Sequence, residues 1–221
     1  MHEQLRELSG LLRIGRRLDE LHSGAVALLR EIAVSRASFA AVRHPLGFIY
    51  ATLLREGPTA LRLHIWLAGL ARPRLTTSPI HDHTWQLMSY VICGELENHI
   101  VEINDSAEPT HRVFEIKGAG GADRLRPTDR LVRFRVASVQ RVQARERYTI
   151  EAGRFHFTEV SSDRTVATLV LAERKAPVPE RSLGPRHLSE HQTTREACPP
   201  GELRSAAARV LDTLVNQSVA K

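Results

Sequence analysis

Between Pro79 and Gly94 the chain reads Pro-Ile-His81-Asp82-His83-Thr-Trp85-Gln86-Leu87-Met88-Ser-Tyr-Val-Ile-Cys93-Gly94, and this stretch restricts the possible folds more than any other. Side chains of an extended strand alternate between its faces, so His81 and His83 point one way and Asp82 the other. Two neutral imidazoles on one face are half of a metal site, because His is the commonest nitrogen ligand for zinc, iron, nickel and copper. The run from Trp85 to Cys93 is rich in β-formers and closes on a glycine suited to a tight strand-to-strand turn. The expectation is a histidine pair mounted on a rigid β-scaffold.

The pattern on either side changes period. In residues 2 to 35, Leu5, Leu8, Leu11, Leu12, Leu18 and Leu21 recur at helical spacing, and Ser23 is placed to N-cap a second helix carrying Val26, Leu28, Leu29 and Ile32. From Leu46 the period is two. Phe48 to Leu54 reads as a strand, Glu56-Gly57-Pro58 as a turn, and Leu61 to Leu67 as the next strand. That strand has Leu61, Leu63, Ile65 and Leu67 on one side and Arg62, His64, Trp66 and Ala68 on the other. Leu70 to Ser78, with Arg72-Pro73-Arg74, reads as a loop. Leu96–Ile103, Val113–Lys117, Leu131–Val136, Val139–Val142, Tyr148–Ile150 and Thr165–Ala172 continue the series, making about nine or ten short strands of an all-β barrel or sandwich.

Gly118-Ala-Gly-Gly121 lacks the Lys-Ser/Thr of a phosphate loop and reads as a turn. Lys175 to Pro200, rich in proline and polar residues, predicts an extended strap or mobile linker. A final helix follows from Pro200-Gly-Glu-Leu203 to about Val215, with Leu203, Val210, Leu211 and Leu214 as its apolar face. The expected organisation is a helical segment over 1–45 packed on a barrel over 46–175, then a strap and helix over 176–221.

Composition narrows the function. The net charge of +6 could point to nucleic acid. However, basic residues are scattered beside acidic ones, as in Arg145-Glu146-Arg147, with no basic run interleaved with aromatics. Arg outnumbers Lys 28 to 3, a compositional bias that argues against a phosphate-binding design and a nucleic-acid partner. Two cysteines in unlike contexts, Cys93 and Cys198, exclude a disulfide framework and fit a reducing compartment. No apolar stretch reaches membrane-spanning length and no signal-peptide core opens the chain, so a cytoplasmic protein is expected, with homo-oligomerisation left open.

Pro79-x-His81-x-His83 followed by Gly94 resembles the first cupin motif, and Tyr148 to Val160, with Ala152-Gly153-Arg154-Phe155-His156, resembles the second. More narrowly, Tyr50-Ala-Thr-Leu-Leu54, Ile80-His-Asp-His-Thr84, His156-Phe-Thr-Glu159 and Val166-Ala-Thr-Leu169 are similar in order and spacing to the cysteine dioxygenase branch, over roughly residues 46 to 173. The resemblance implies a double-stranded β-helix (jelly-roll) barrel and a metal held by His81, His83 and His156. The glutamate most cupins add falls at Leu87, with Gln86 beside it, leaving three neutral ligands. By resemblance the metal is Fe(II); physics alone leaves Ni, Zn and Mn open. Asp82, between the ligands, is expected to play a structural part.

The resemblance weakens at the substrate. The arginine that clamps carboxylate in the thiol dioxygenases aligns with Thr52, their Ser-His-Tyr set falls near Leu169, Leu171 and Glu173, and their crosslinking cysteine falls at Met88. Tyr50, Thr52, Arg62, His64, Trp66 and Trp85 are the expected pocket residues, with His64 able to face either way. His99, His111, His187 and His191 read as surface histidines, and Glu159 as facing water. Three functions stay open. The first is a three-His non-haem iron oxygenase using O2 on a small polar metabolite. The second is a non-redox metal-dependent cupin, an isomerase or hydrolase. The third is a non-catalytic cupin that binds a small molecule.

Overall fold

The computed structural model describes residues 1–70, 75–119, 121–175, 179–199 and 201–219. The first strands in chain order are β1 (Ala41–His44), β2 (Phe48–Glu56), β3 (Thr59–Trp66), β4 (Trp85–Cys93), β5 (Glu95–Asp105) and β6 (His111–Ala119). They are followed by β7 (Ala122–Gln143), β8 (Arg147–Ile150), β9 (His156–Glu159) and β10 (Val166–Arg174), then β11 (Glu180–Pro185), β12 (His191–Thr194) and β13 (Glu196–Ala197). Helices α1 (His2–Ile14), α2 (Leu18–Ala33) and α3 (Glu202–Val219) flank this all-β core at both ends of the chain.

One antiparallel sheet of seven strands runs β13-β1-β2-β3-β10-β4-β8, and a second of six is ordered β11-β6-β7-β5-β9 with β12 beside β7. The seven-stranded sheet is covered on both faces, which is why β4 and β10 are buried almost end to end. Ile49, Leu61, Leu63, Ile65, Tyr90 and Leu169 form its helix-side face, packed with Leu8 and Leu12 of α1, Leu28 and Leu29 of α2 and Ala207 and Val210 of α3. Phe48, Trp66, Leu87, Tyr148, Val170 and Ala172 form the other face, packed with Leu96 and Val142 of the second sheet. The alternation in β3 thus sends its leucines to the helices and Arg62, His64 and Trp66 inward.

Gly94 lies at the crossing between sheets. β4 pairs with β10 and β8, while β5 pairs with β7 and β9, so the chain changes sheets at this residue. Gly94 has φ 77°, and a Cβ there would stand 2.6 Å from the Thr165 carbonyl oxygen. Only glycine meets both demands.

Two expectations need correction. The second helix begins at Leu18 and not at Ser23, because Gly15 (φ 68°) closes α1 by donating its N–H to Leu11 and the chain restarts after Arg17. Ser23 lies inside α2 and turns its hydroxyl back onto the Asp19 carbonyl. The two short strands expected over 131–142 are parts of the 22-residue β7. Its C-terminal half pairs with β5 and its N-terminal half with β6 and β12, and Pro127 together with outward arginines masks the alternation.

The segment read as a strap or linker supplies β11 to the six-stranded sheet and β13 to the other; its residues 176–178 and 200 lie outside the described residues. So do Arg72-Pro73-Arg74 of the expected loop and Gly120 of the glycine-rich turn. Both cysteines are free, and no described helix is long and apolar enough to cross a membrane.

Candidate metal centre

The two histidine-bearing segments are tied together by their backbones before any side chain is considered. His81 donates its N–H to the His156 carbonyl (3.0 Å) and His156 returns one to His81 (2.8 Å). The Gly153 N–H reaches the His83 carbonyl at 2.7 Å, and Ser182 of β11 bridges to His81 from the other side. Pairing at this point brings residues far apart in sequence onto one spot.

The three side chains converge. Ring centroids of His81, His83 and His156 lie 4.6 to 5.3 Å apart, and one ligand atom from each falls within 4.8 Å of the others. Each ring is oriented from behind through Nδ1. His81 Nδ1 lies 2.8 Å from the Pro79 carbonyl, His156 Nδ1 2.9 Å from the Arg154 carbonyl, and His83 Nδ1 3.4 Å from the Glu180 carboxylate. A proton on each Nδ1 leaves each Nε2 a bare lone pair, as second-sphere acceptors do for metal-bound histidines. Burial, then mutual repulsion, pushes the His83 and His156 pKa values well below the ordinary value, and burial also lowers His81.

This donor set fits a metal ion. The Nε2 atoms of His81 and His83 are 3.2 Å apart, and lone pairs facing at that distance repel unless a cation lies between them. Two imidazole nitrogens on one ion at about 2.0–2.1 Å stand roughly that far apart in tetrahedral or octahedral geometry. Asp82 points the other way and is almost fully buried, as its place between the ligands predicts. It accepts the Arg181 backbone N–H and that residue's Nε, both at 2.7 Å, and also its Nη2. Arg181 belongs to β11, so this ion pair ties the ligand segment to the C-terminal part of the chain.

Two adjoining chambers share His81 and His83 in their linings. The outer, about 530 Å³, is lined among others by Leu75, Ser78, Ile116, Leu125 and Thr193. The inner, about 300 Å³, is lined by Phe48, Tyr50, Arg62, His64, Trp66, Trp85, Leu87, Tyr148 and His156. His44, His81, His83, Glu180 and Arg195 border both. Leu87 lies in the inner wall, and burial pushes the His64 pKa down to about 3.

Of the residues expected in a pocket, Tyr50, Arg62, His64, Trp66 and Trp85 line the inner chamber and Thr52 does not. Thr52 is the register partner of Arg62 on the neighbouring strand. Leu169, Leu171 and Met88, the positions aligned with the thiol dioxygenases' catalytic set and crosslink, pack against the helices, while Val170 faces the chamber. A slip of one residue exchanges the faces of a strand.

His99 is not a surface histidine. Its ring stacks on Phe157 at 4.3 Å, and its Nε2 lies 3.3 Å from Glu159 and 3.8 Å from Glu97. Glu159 borders the inner chamber as well as facing solvent. Sequence reading missed Glu180 and Arg195. Both lie in the proline-rich C-terminal segment, where no local motif marks them.

No protein-family model matches the sequence, and no curated protein matches it significantly. Among solved structures, it is similar to the polyketide cyclase RemF from Streptomyces resistomycificus (17% identity, 69% of this chain and 82% of that one, TM-score 0.39). It is also similar to a cupin-2 domain from Rhodospirillum rubrum (13%, 78% and 81%, 0.36) and to an L-ribose isomerase from Cellulomonas parahominis (15%, 87% and 94%, 0.37). Likeness at this level is loose and says nothing of activity.

Proposed function

We propose that this chain is a cupin, its two sheets forming a jelly roll, and that it is a metal-dependent enzyme working on a small organic molecule without net redox change. The observation that carries this reading is the convergence of three Nδ1-anchored imidazoles where two chambers meet. One divalent ion held by His81, His83 and His156 would supply Lewis-acid polarisation of a substrate oxygen.

The protein's own groups have separate tasks. Phe48, Trp66, Leu87 and Val170 give the inner chamber apolar walls that keep bulk water from the substrate. Tyr50 is held by Arg195, whose Nη1 donates to its hydroxyl at 3.2 Å. Glu180, on the wall common to both chambers, is placed to take a proton from a bound molecule and return it, the requirement of an isomerase or hydrolase.

A second reading, an iron oxygenase, is favoured by one observation. With Leu87 in the wall, the donor set is three neutral imidazoles, the set that the resemblance to thiol dioxygenases implies. The test is protein loaded separately with Zn, Mn, Ni or Fe(II), incubated with a panel of sugars, hydroxy acids and keto acids under argon and under air, and followed by NMR. Turnover under argon with Zn is the expected result. Turnover confined to Fe(II) with oxygen uptake would overturn the non-redox reading in favour of the second.

A further inference from the structure

Two arginines reach the inner chamber and they differ in one respect. Arg195 is fully engaged: Nε and Nη2 grip Asp123 at 2.7 and 2.8 Å, and Nη1 bonds Tyr50. Arg62 makes no hydrogen bond and no ion pair with any described residue, and its Nε is out of reach of solvent. Its guanidinium lies over the Trp85 ring, 4.5 Å from the centroid, and the Trp85 Nε1–H is likewise buried without an acceptor. Burial opposes the charged form of Arg62. Glu180 is the opposite charge that Arg62 feels, but the two form no ion pair, and a desolvated guanidinium with no carboxylate in contact calls for an explanation.

We infer that the inner chamber binds a small organic carboxylate, its carboxylate on the terminal nitrogens of Arg62 and its apolar body against Phe48, Trp66 and Leu87. A single guanidinium fork matches the two oxygens of a carboxylate, and Phe48, Trp66, Leu87 and Val170 supply apolar wall, with Glu159 and Glu180 also in the lining. Trp85 also stacks on the His83 ring, centroids 5.1 Å apart, so the anion site and the histidine triad share one indole. A ligand seated on Arg62 therefore lies beside the triad. This deepens the metal-enzyme reading and rests on it for the fate of the bound molecule, but binding at Arg62 needs no metal.

The chain has two tryptophans, and both line this chamber, so intrinsic fluorescence reports its occupancy. The probes are benzoate and its neutral isostere benzamide, titrated into full-length protein stripped of metal with a chelator. The expected result is a saturable emission change with benzoate and binding at least about thirty-fold weaker with benzamide, the scale of losing a buried charge-assisted pair. Arg62→Met should bring benzoate down to the benzamide level, and Arg62→Lys should fall between. Circular dichroism shows which variants are folded; if Arg62→Met is not, Arg62→Lys and the benzoate-to-benzamide ratio decide. Equal binding of the two probes, or undiminished benzoate affinity in folded Arg62→Met, would overturn the inference. Benzoate preference in a protein that takes up no stoichiometric metal would leave it standing and remove the metal-enzyme reading. Stoichiometric metal without benzoate preference would do the reverse.

Discussion

Among the described residues, two groups of side chains of metal-ligating type are each drawn together, and their surroundings differ. His81, His83 and His156 each have an acceptor behind Nδ1, their backbones are bonded to one another, and the free nitrogens face a cavity. Glu97, His99 and Glu159 also come together, but Glu97 is gripped by Nε and Nη2 of Arg141, and Glu159 is largely exposed. Proximity of ligand atoms is common to both. What separates them is preorganisation: in the first group every ring is aimed, in the second the carboxylates already have other partners or water.

The largest expected effect of that difference is on metal content. Purified without chelator, the protein should carry one equivalent of a divalent metal by elemental analysis. His83→Ala should abolish it, and His99→Ala should leave it intact. Equal loss in both variants would remove the distinction, and a wild-type protein without stoichiometric metal would sink the first site.

The support behind the triad should be nearly as sensitive, in stability. Arg181→Ala leaves Asp82 buried with its charge unmatched, and breaking a buried pair in this way costs about 3 kcal/mol or more. Asp82→Asn should cost less, because Arg181 is one-third exposed and water can reach it. Urea unfolding of metal-free protein measures both; equal small losses would mean that the pair is not what holds β11 to the ligand segment.

The same contrast explains what the sequence made legible. His81 and His83 could be read because the strand period sets their direction within three residues, and the inward set of β3 because its leucines alternate with Arg62, His64 and Trp66. The resemblance brought in His156. Partners fixed by long-range pairing could not be read: Glu180 and Arg181 arrive through the β11 register, 97 and 99 positions from His83 and Asp82. His99 was misjudged for the same reason, since only the pairing of β5 with β9 brings Phe157 and Glu159 against it. Thr52 shows the limit of reading by alignment. The chamber's unpaired guanidinium is supplied by its register partner, Arg62, one strand over.

The smallest expected effect concerns Glu159. It stands directly across from Glu97 in the β5–β9 register, and like charges in opposed positions work against the sheet. Its contact with His99 works in the other direction, and at 62% exposure the carboxylate is well solvated. The two contributions nearly cancel, so Glu159→Gln should change stability by no more than about 0.5 kcal/mol, the range of ordinary surface substitutions. It should also leave metal content unchanged, because neither Glu159 nor His99 contributes to the triad. Chelator-difference thermal unfolding of wild type and variant provides the check. A chelator-sensitive stabilisation present in wild type and lost in Glu159→Gln would mean that the second group does hold a cation, and that a carboxylate open to water can serve where the triad uses anchored imidazoles.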